Sequence, residues 1–305
     1  MKIITQNINL IYKPNKKLKW SKSHAMLPVS IKIKKNIFRI FFSSRNKNNQ
    51  SNISFIDYDL VKKKIVYENK NSCFQIGKLG CFDDNGVVAS SIIKYNKMLY
   101  LYYVGWKPQA TTRYSLLTGL AISKNNGKTF KRWSQAPILK NSDKEPYQIL
   151  TAPCVIKEKK LWRMWYVSGC IWKNKNLPKY DIKYAYSKDG KSWTQTSKIC
   201  IKLKPNERAI ARPSVFKIKN KYYMIYCKEN RIKTYSFGLA YSSDGLNWKR
   251  NDKQFVFNKS NNNSWDGKMQ CYPHVIKFKN NFYMFYNGND YGKSGFGILE
   301  LIINL

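Results

Sequence analysis

One pattern of apolar and polar positions recurs along the chain. In TAPCVIKEKKLWRMWY, from Thr151, a short apolar run opened by proline passes into a polar Lys-rich turn and then an aromatic run. ARPSVFKIKNKYYMIY from Ala211 and CYPHVIKFKNNFYMFY from Cys271 repeat it. VASSIIKYNKMLYLYY from Val88 fits with Ser90 in the proline's place, and MLPVSIKIKKNIFRIFF from Met26 fits with Pro28. Counting thirteen residues from each anchor reaches Phe41, Tyr103, Tyr166, Tyr226 and Tyr286, with no gap inside any copy. Successive copies lie roughly 60 residues apart, a repeat-scale period. Each copy predicts two strands joined by a polar turn.

The intervening segments repeat as well. GLAISKNNGKTF from Gly119, IKYAYSKDGKSW from Ile182 and FGLAYSSDGLNW from Phe237 each join a β-rich run to a Gly-containing turn and an aromatic. Asp189-Gly190 and Asp244-Gly245 suit tight turns because glycine tolerates positive φ. Trp193 and Trp248 are expected to pin those turns to the sheet. One unit therefore holds two hairpins, a four-stranded sheet that cannot bury both faces alone. Five such sheets set radially can, so the pattern predicts an all-β, five-bladed β-propeller with four-stranded antiparallel blades around a central channel. The blades are expected at about 21–68, 82–140, 145–203, 207–258 and 265–305 of one domain spanning 1–305. Residues 1–20 are expected to supply a strand closing the ring with the last blade.

Composition agrees. The chain has 22 Tyr, 15 Phe and 9 Trp, residues that suit half-buried strands. A repeat fold grows by adding units, so 305 residues need no second domain. The formal charge of +39 invites a nucleic-acid reading. Against it, lysine far outnumbers arginine and is scattered over hairpin turns, where it also guards exposed β edges. The abundance of Lys, Asn and Ile fits an A/T-rich coding bias. No recognition helix, zinc finger or RNP-type sequence is present, so nucleic acid is not the expected partner. Seven cysteines, an odd number without a CxxC pair, do not form a disulfide scaffold or a zinc site. The N-terminus lacks the apolar run of a signal peptide, and no apolar stretch is long enough to span a bilayer, so a cytoplasmic protein is expected.

The proline-opened units, alternating with SKDGKSW and SSDGLNW, resemble the five-bladed propellers of the glycosidase superfamily, which includes arabinanases, β-xylosidases, invertases and levansucrases. The strings KSHAMLPV, FDDNGVVASSI, APCV with WRMWYVSG, IARPSV, and YPHV with YMFYNGNDYG resemble more closely the glycosidase-like propellers of bacterial surface-polysaccharide gene clusters. The resemblance runs from about Trp20 to Gly297. It implies a carbohydrate-active protein and carboxylates at the starts of inner strands, commonly just before the strand's proline. Here those positions hold Leu27, Ala89, Ala152, Arg212 and Tyr272, none of them acidic.

Acids occur a little further upstream. Asp84 and Glu207 lie six residues before their anchors, with Asp83 beside the first; Asp266 and Glu145 lie seven and eight before theirs. In a propeller these positions converge on one mouth, and two carboxyls facing a sugar can do acid/base work. Asp84 and Glu207 are therefore the candidate catalytic carboxylates, with Asp83 and Asp266 as candidate substrate contacts. The competing expectation is that each caps a loop or pairs with a basic neighbour. His24 and His274, the two histidines, both sit at inner-strand starts. His274 is a catalytic candidate and His24 a substrate-binding one, unless each is a satisfied structural histidine.

In a lysine-rich chain, arginine points to a need for its planar fork. Arg45, Arg113, Arg208 and Arg212 are candidates to grip a carboxylate or phosphate, or else to stack on aromatics. Trp106 and Trp172 follow aromatic strands and can offer a stacking face to a sugar. No cofactor is implied and no metal ligand set is identified. Two functions remain open. One is a glycosidase-like hydrolase or transferase acting on an anionic or activated sugar, with a carbohydrate or sugar nucleotide as ligand. The other is a non-catalytic glycan-binding or assembly protein on the same scaffold.

Overall fold

A computed structural model describes residues 2–230, 234–258 and 260–304. It is nearly all β. The chain opens with β1 (Lys2–Tyr12). A first meander follows: β2 (Ser23–Lys32), β3 (Ile37–Arg45), β4 (Ser51–Asp59) and β5 (Lys64–Glu68). The second is β6 (Val87–Tyr95), β7 (Met98–Pro108), β8 (Tyr114–Ser123) and the short β9 (Lys131–Arg132). The third is β10 (Ile149–Lys157), β11 (Trp162–Trp172), β12 (Pro178–Ser187) and β13 (Thr194–Ile201). The fourth is β14 (Glu207–Ile218), β15 (Lys221–Asn230), β16 (Tyr235–Ser242) and β17 (Lys249–Arg250). After the short β18 (Phe255–Val256) come β19 (Cys271–Phe278), β20 (Asn281–Asn287) and β21 (Phe296–Asn304). Among the described residues the one α-helix is a four-residue turn, Asn289–Gly292. No helix among the described residues is long and apolar enough to cross a membrane.

These strands make four hydrogen-bonded sheets. The second and third meanders merge into one sheet because β8 and β10 pair in parallel, Leu116 and Leu117 against Ile149 and Leu150. The last sheet is β18-β1-β21-β20-β19, in which the N-terminal β1 pairs antiparallel with the C-terminal β21. The first strands of the meanders pack in sequence: β2 on β6, β6 on β10, β10 on β14, β14 on β19, and β19 back on β2. Apolar side chains fill the spaces between neighbouring meanders. Phe38, Ile40 and Phe42, for example, share a cluster with Phe278, Phe285 and Phe296. Each such fully buried side chain contributes about 1.5–3 kcal/mol.

The proline anchors mark bulges. Ladder register slips in every first strand, between Met26 and Val29, Ala89 and Ser91, Thr151 and Cys154, Ala211 and Ser214, and Cys271 and His274. A bulge leaves residues outside the ladder, so a proline there forfeits no hydrogen bond. The residue before proline takes positive φ in all four proline copies: Leu27 (54°), Ala152 (48°), Arg212 (49°) and Tyr272 (59°). The first copy departs from the gap-free alignment. Val29 pairs with Phe41, whereas the equivalent Cys154 pairs with Trp165, one position earlier. Its hairpin is one residue longer, so Phe42, not Phe41, corresponds to the closing tyrosines.

Immediately after the bulges, first strands are tied to one another. The Val155, Val215 and Val275 amides donate to Ser91 Oγ (3.1 Å), Cys154 Sγ (3.3 Å) and Ser214 Oγ (2.9 Å) of the preceding meander. Ser30 donates to His274 Nε2 at 2.9 Å, joining the first meander to the last. Val29 occupies the acceptor position in the first meander; there the Ala89 amide reaches Ser43 Oγ instead, at 3.1 Å.

The Asp-Gly turns form as the dipeptides predict. Gly190 and Gly245 have φ of 74° and 75°. The Asp189 carboxylate accepts the Lys191 and Ser192 amides, and Asp244 those of Leu246 and Asn247. Trp248 pins its turn by donating to Gly245 O at 3.0 Å. Trp193 makes no such bond; it packs edge-on against Tyr102, whose hydroxyl donates to Gly190 O.

Candidate functional site

A cavity of about 530 Å³ collects residues from the bulges and from strand ends of all five meanders. Its bulge residues are Leu27, Ala152, Arg212 and Tyr272. The two-against-one geometry turns these side chains out of the ladder, which explains why residues far apart in sequence meet. Strand ends and loops add Arg45, Trp106, Arg113, Tyr114, Tyr180, Arg208, Glu229, Tyr235 and Tyr291. Among the described residues, four guanidinium groups and one carboxylate line it.

Arg212 is only 2% exposed. Its Nη1 donates to the Ala89 carbonyl at 3.0 Å, while Nη2 is buried and has no hydrogen-bond partner. Burial pushes its pKa down to about 10, and the neighbouring titratable groups are Cys154, Cys227, Cys271, Tyr272 and His274, none of them a carboxylate. Arg208 faces Glu229 at 3.7 Å. Arg45 donates to Asn49 Oδ1 at 3.2 Å; burial, and also the Arg113 charge, lower its pKa. The Arg113 guanidinium lies over the Tyr114 ring, and its amide donates to Lys175 O, fastening one loop to the next meander. The Tyr114 and Tyr180 hydroxyls meet at 2.6 Å.

Of the residues singled out in the sequence, Arg45, Trp106, Arg113, Arg208 and Arg212 line this one cavity. The other candidates are held elsewhere. Asp84 accepts from the Gly80 amide at 2.9 Å and Lys107 at 3.0 Å. Asp83 is fully buried, bound to the Tyr103 hydroxyl (2.9 Å) and Arg132 (2.8 Å). Asp266 is fully buried, with Tyr286 (2.6 Å) and Ser264 (2.8 Å). Glu207 is clamped by Arg250 and by the Lys204 amide; burial alone would raise its pKa, and these bonds reverse the sign. Committed to such partners, the four acids serve the architecture and do not line the cavity.

His274 also falls outside the lining, because its Nε2 is spent on the Ser30 amide. Burial, then the Arg212 charge, depress its pKa to about 3. His24 contacts Ser23 Oγ at 3.0 Å, and burial with Arg45 and Lys293 nearby lowers its pKa to about 4. Trp172 packs edge-on against the Tyr114 ring, with centroids 5.7 Å apart, and does not line the cavity itself.

The sequence reading missed Glu229 and the tyrosines at 114, 180, 235, 272 and 291. A signal for Glu229 existed. It lies three residues after Tyr226, as Trp106 lies three after Tyr103, so both leave equivalent strands at the same end.

No protein-family model matches the chain. Several solved structures share its fold. One described as a glycoside hydrolase superposes with a TM-score of 0.72 at 17% identity, covering 97% of this chain and 91% of the other. A thermostable family-43 glycoside hydrolase gives 0.68 at 14% identity, covering 95% and 92%. At these identities the likeness is one of fold, an arrangement of antiparallel sheets shared with propeller glycoside hydrolases. Sequence similarity is much higher to uncharacterized proteins MT1551 and Rv1502 of two Mycobacterium tuberculosis strains. Each is 35% identical over 300 residues, covering 97% of this chain and 98% of its own length. The chain belongs to the family of these two mycobacterial proteins.

Proposed function

We propose that the five meanders are the blades of a five-bladed propeller, within the approximate bounds given above, and that its cavity binds an anionic or activated sugar. The blade reading is supported by the cyclic packing of β2, β6, β10, β14 and β19. The ligand reading rests on Arg212. A buried guanidinium with an unpartnered nitrogen and no carboxylate beside it is costly, and an anionic ligand group would relieve that cost. Trp106 and the cavity tyrosines provide apolar faces for a sugar ring, and a 530 Å³ space falls within the usual size of small-ligand sites.

Of the two functional classes, ligand binding is the better supported. Ordinary glycoside hydrolysis uses two carboxyl groups on opposite sides of the bond, and among the described residues this cavity presents only Glu229. Asp84 and Glu207 are withdrawn as the catalytic pair. Catalysis remains as a second reading centred on Glu229, which is 5% exposed and electrostatically coupled to Tyr114, Tyr180, Tyr235 and Tyr291. The resemblance to propellers of surface-polysaccharide clusters supports a role in bacterial polysaccharide metabolism, with the cytoplasm as the proposed location.

A thermal-shift screen of neutral and acidic sugars, including uronic acids, hexose phosphates and sugar nucleotides, tests the reading. Selective stabilisation by the anionic set is expected. Equal response to neutral and acidic sugars contradicts it.

A further inference from the structure

We infer that the cavity is built for a diphosphate-linked sugar, a ligand with two neighbouring phosphoryl groups, rather than for a sugar with a single carboxylate. This rests on the anionic-sugar reading and narrows it. Among the described residues four arginines and one glutamate line the space, and Glu229 is engaged by Arg208. Among the described residues none of Arg45, Arg113 and Arg212 makes a salt bridge. Three uncompensated cations therefore face one ligand.

They do so at different depths. Arg212 is buried in the β14 bulge with Nη2 unpaired, whereas Arg45 is partly exposed and Arg113 exposed, at the end of β3 and in the β7–β8 connection. A lone carboxylate can accept Nη2 of Arg212 but leaves the other two without a counter-charge. A diphosphate linked at both ends carries two negative charges, one on each phosphoryl group. It can reach the deep cation with one phosphoryl group and the outer pair with the other. Arginine suits this because its donors match phosphate oxygens in directed, charge-assisted bonds. Asn49, Asn85 and Asn176 on the lining add uncharged amide groups without adding negative charge. Two sources share this chemistry, a nucleoside diphosphate sugar and a lipid diphosphate sugar.

The test is calorimetric titration of the full chain with inorganic pyrophosphate, inorganic phosphate, glucuronate, uridine diphosphate glucose and geranyl diphosphate. Pyrophosphate is expected to bind at least ten-fold tighter than phosphate or glucuronate. Arg212→Ala and the double variant Arg45→Ala/Arg113→Ala should each weaken it at least ten-fold. Tighter binding of uridine diphosphate glucose than of pyrophosphate supports the inference and identifies the nucleotide source; tighter binding of geranyl diphosphate supports it and identifies the lipid source. Glucuronate binding as tightly as the diphosphates, or an unchanged pyrophosphate affinity in the double variant, overturns the diphosphate inference and leaves the anionic-sugar reading standing. No binding of any anion overturns both. Circular dichroism of each variant separates lost binding from lost folding.

Discussion

The Ser30 amide donates to His274 Nε2 at 2.9 Å, a bond between the first and last meanders across 244 residues of chain. An accepting nitrogen must be unprotonated, which agrees with a pKa depressed to about 3 by burial and by Arg212. Unfolded histidine protonates near pH 6.5, so between 6.5 and 3 the unfolded chain binds the extra proton. The stability contributed by this group is complete above pH 6.5 and is lost as pH falls. The expected slope approaches about 1.4 kcal/mol per pH unit for one proton. Denaturant titrations at pH 7.5, 6 and 5 on the wild type and on His274→Gln measure it. The glutamine keeps an acceptor and does not titrate, so its stability should fall less steeply; parallel curves would remove His274 from this role.

A second relationship recurs around the fold. Tyr103, Tyr166, Tyr226 and Tyr286 each donate a hydroxyl to a carboxylate: Asp83, Glu145, Asp252 and Asp266. The equivalent first-meander residue, Phe42, has no hydroxyl to offer. Tyr286→Phe leaves one Asp266 oxygen buried without this donor and should cost about 1–3 kcal/mol by chemical denaturation. By the same reasoning Asp84→Asn and Glu207→Gln should lower stability and leave sugar affinity within two-fold, roughly 0.4 kcal/mol. A large affinity loss in either would return these acids to the site.

Arg212 should carry the opposite signature, stability sacrificed for binding. Arg212→Met retains most of the side-chain volume and removes an unpaired buried cation. Its thermal midpoint without ligand should rise, reflecting about 1–4 kcal/mol. A lower midpoint would mean that the guanidinium is already compensated in the free protein.

Much of this arrangement was legible in the residues. The proline-anchored hairpins and Asp-Gly turns announce themselves because bulges and positive-φ turns restrict which residues fit. The absence of acids before the anchors was also visible, and four of those five positions, Leu27, Ala152, Arg212 and Tyr272, do line the cavity. The upstream acids misled because offset from an anchor fixes a residue's height along the repeat and not the direction of its side chain. Asp83 and Asp266 turn into their own meanders, towards the closing tyrosines. The longer first hairpin escaped notice because Phe41 and Phe42 are the same residue type, so the sequence carried no sign of the one-residue slip. Glu229 was hidden in an otherwise ordinary YCKEN strand end, and only comparison of strand ends across copies would have exposed it.

The most direct test of the anion-binding account is one titration series, an anionic sugar found in the thermal-shift screen against wild type, Arg212→Ala and Arg212→Lys. Alanine already occupies the equivalent bulge at Ala152, also with positive φ, so the Ala variant should keep the fold. The account predicts strong binding by wild type, a loss of ten-fold or more in Arg212→Ala, and partial recovery in Arg212→Lys, which keeps the charge without the fork. Equal affinity in all three proteins would contradict it.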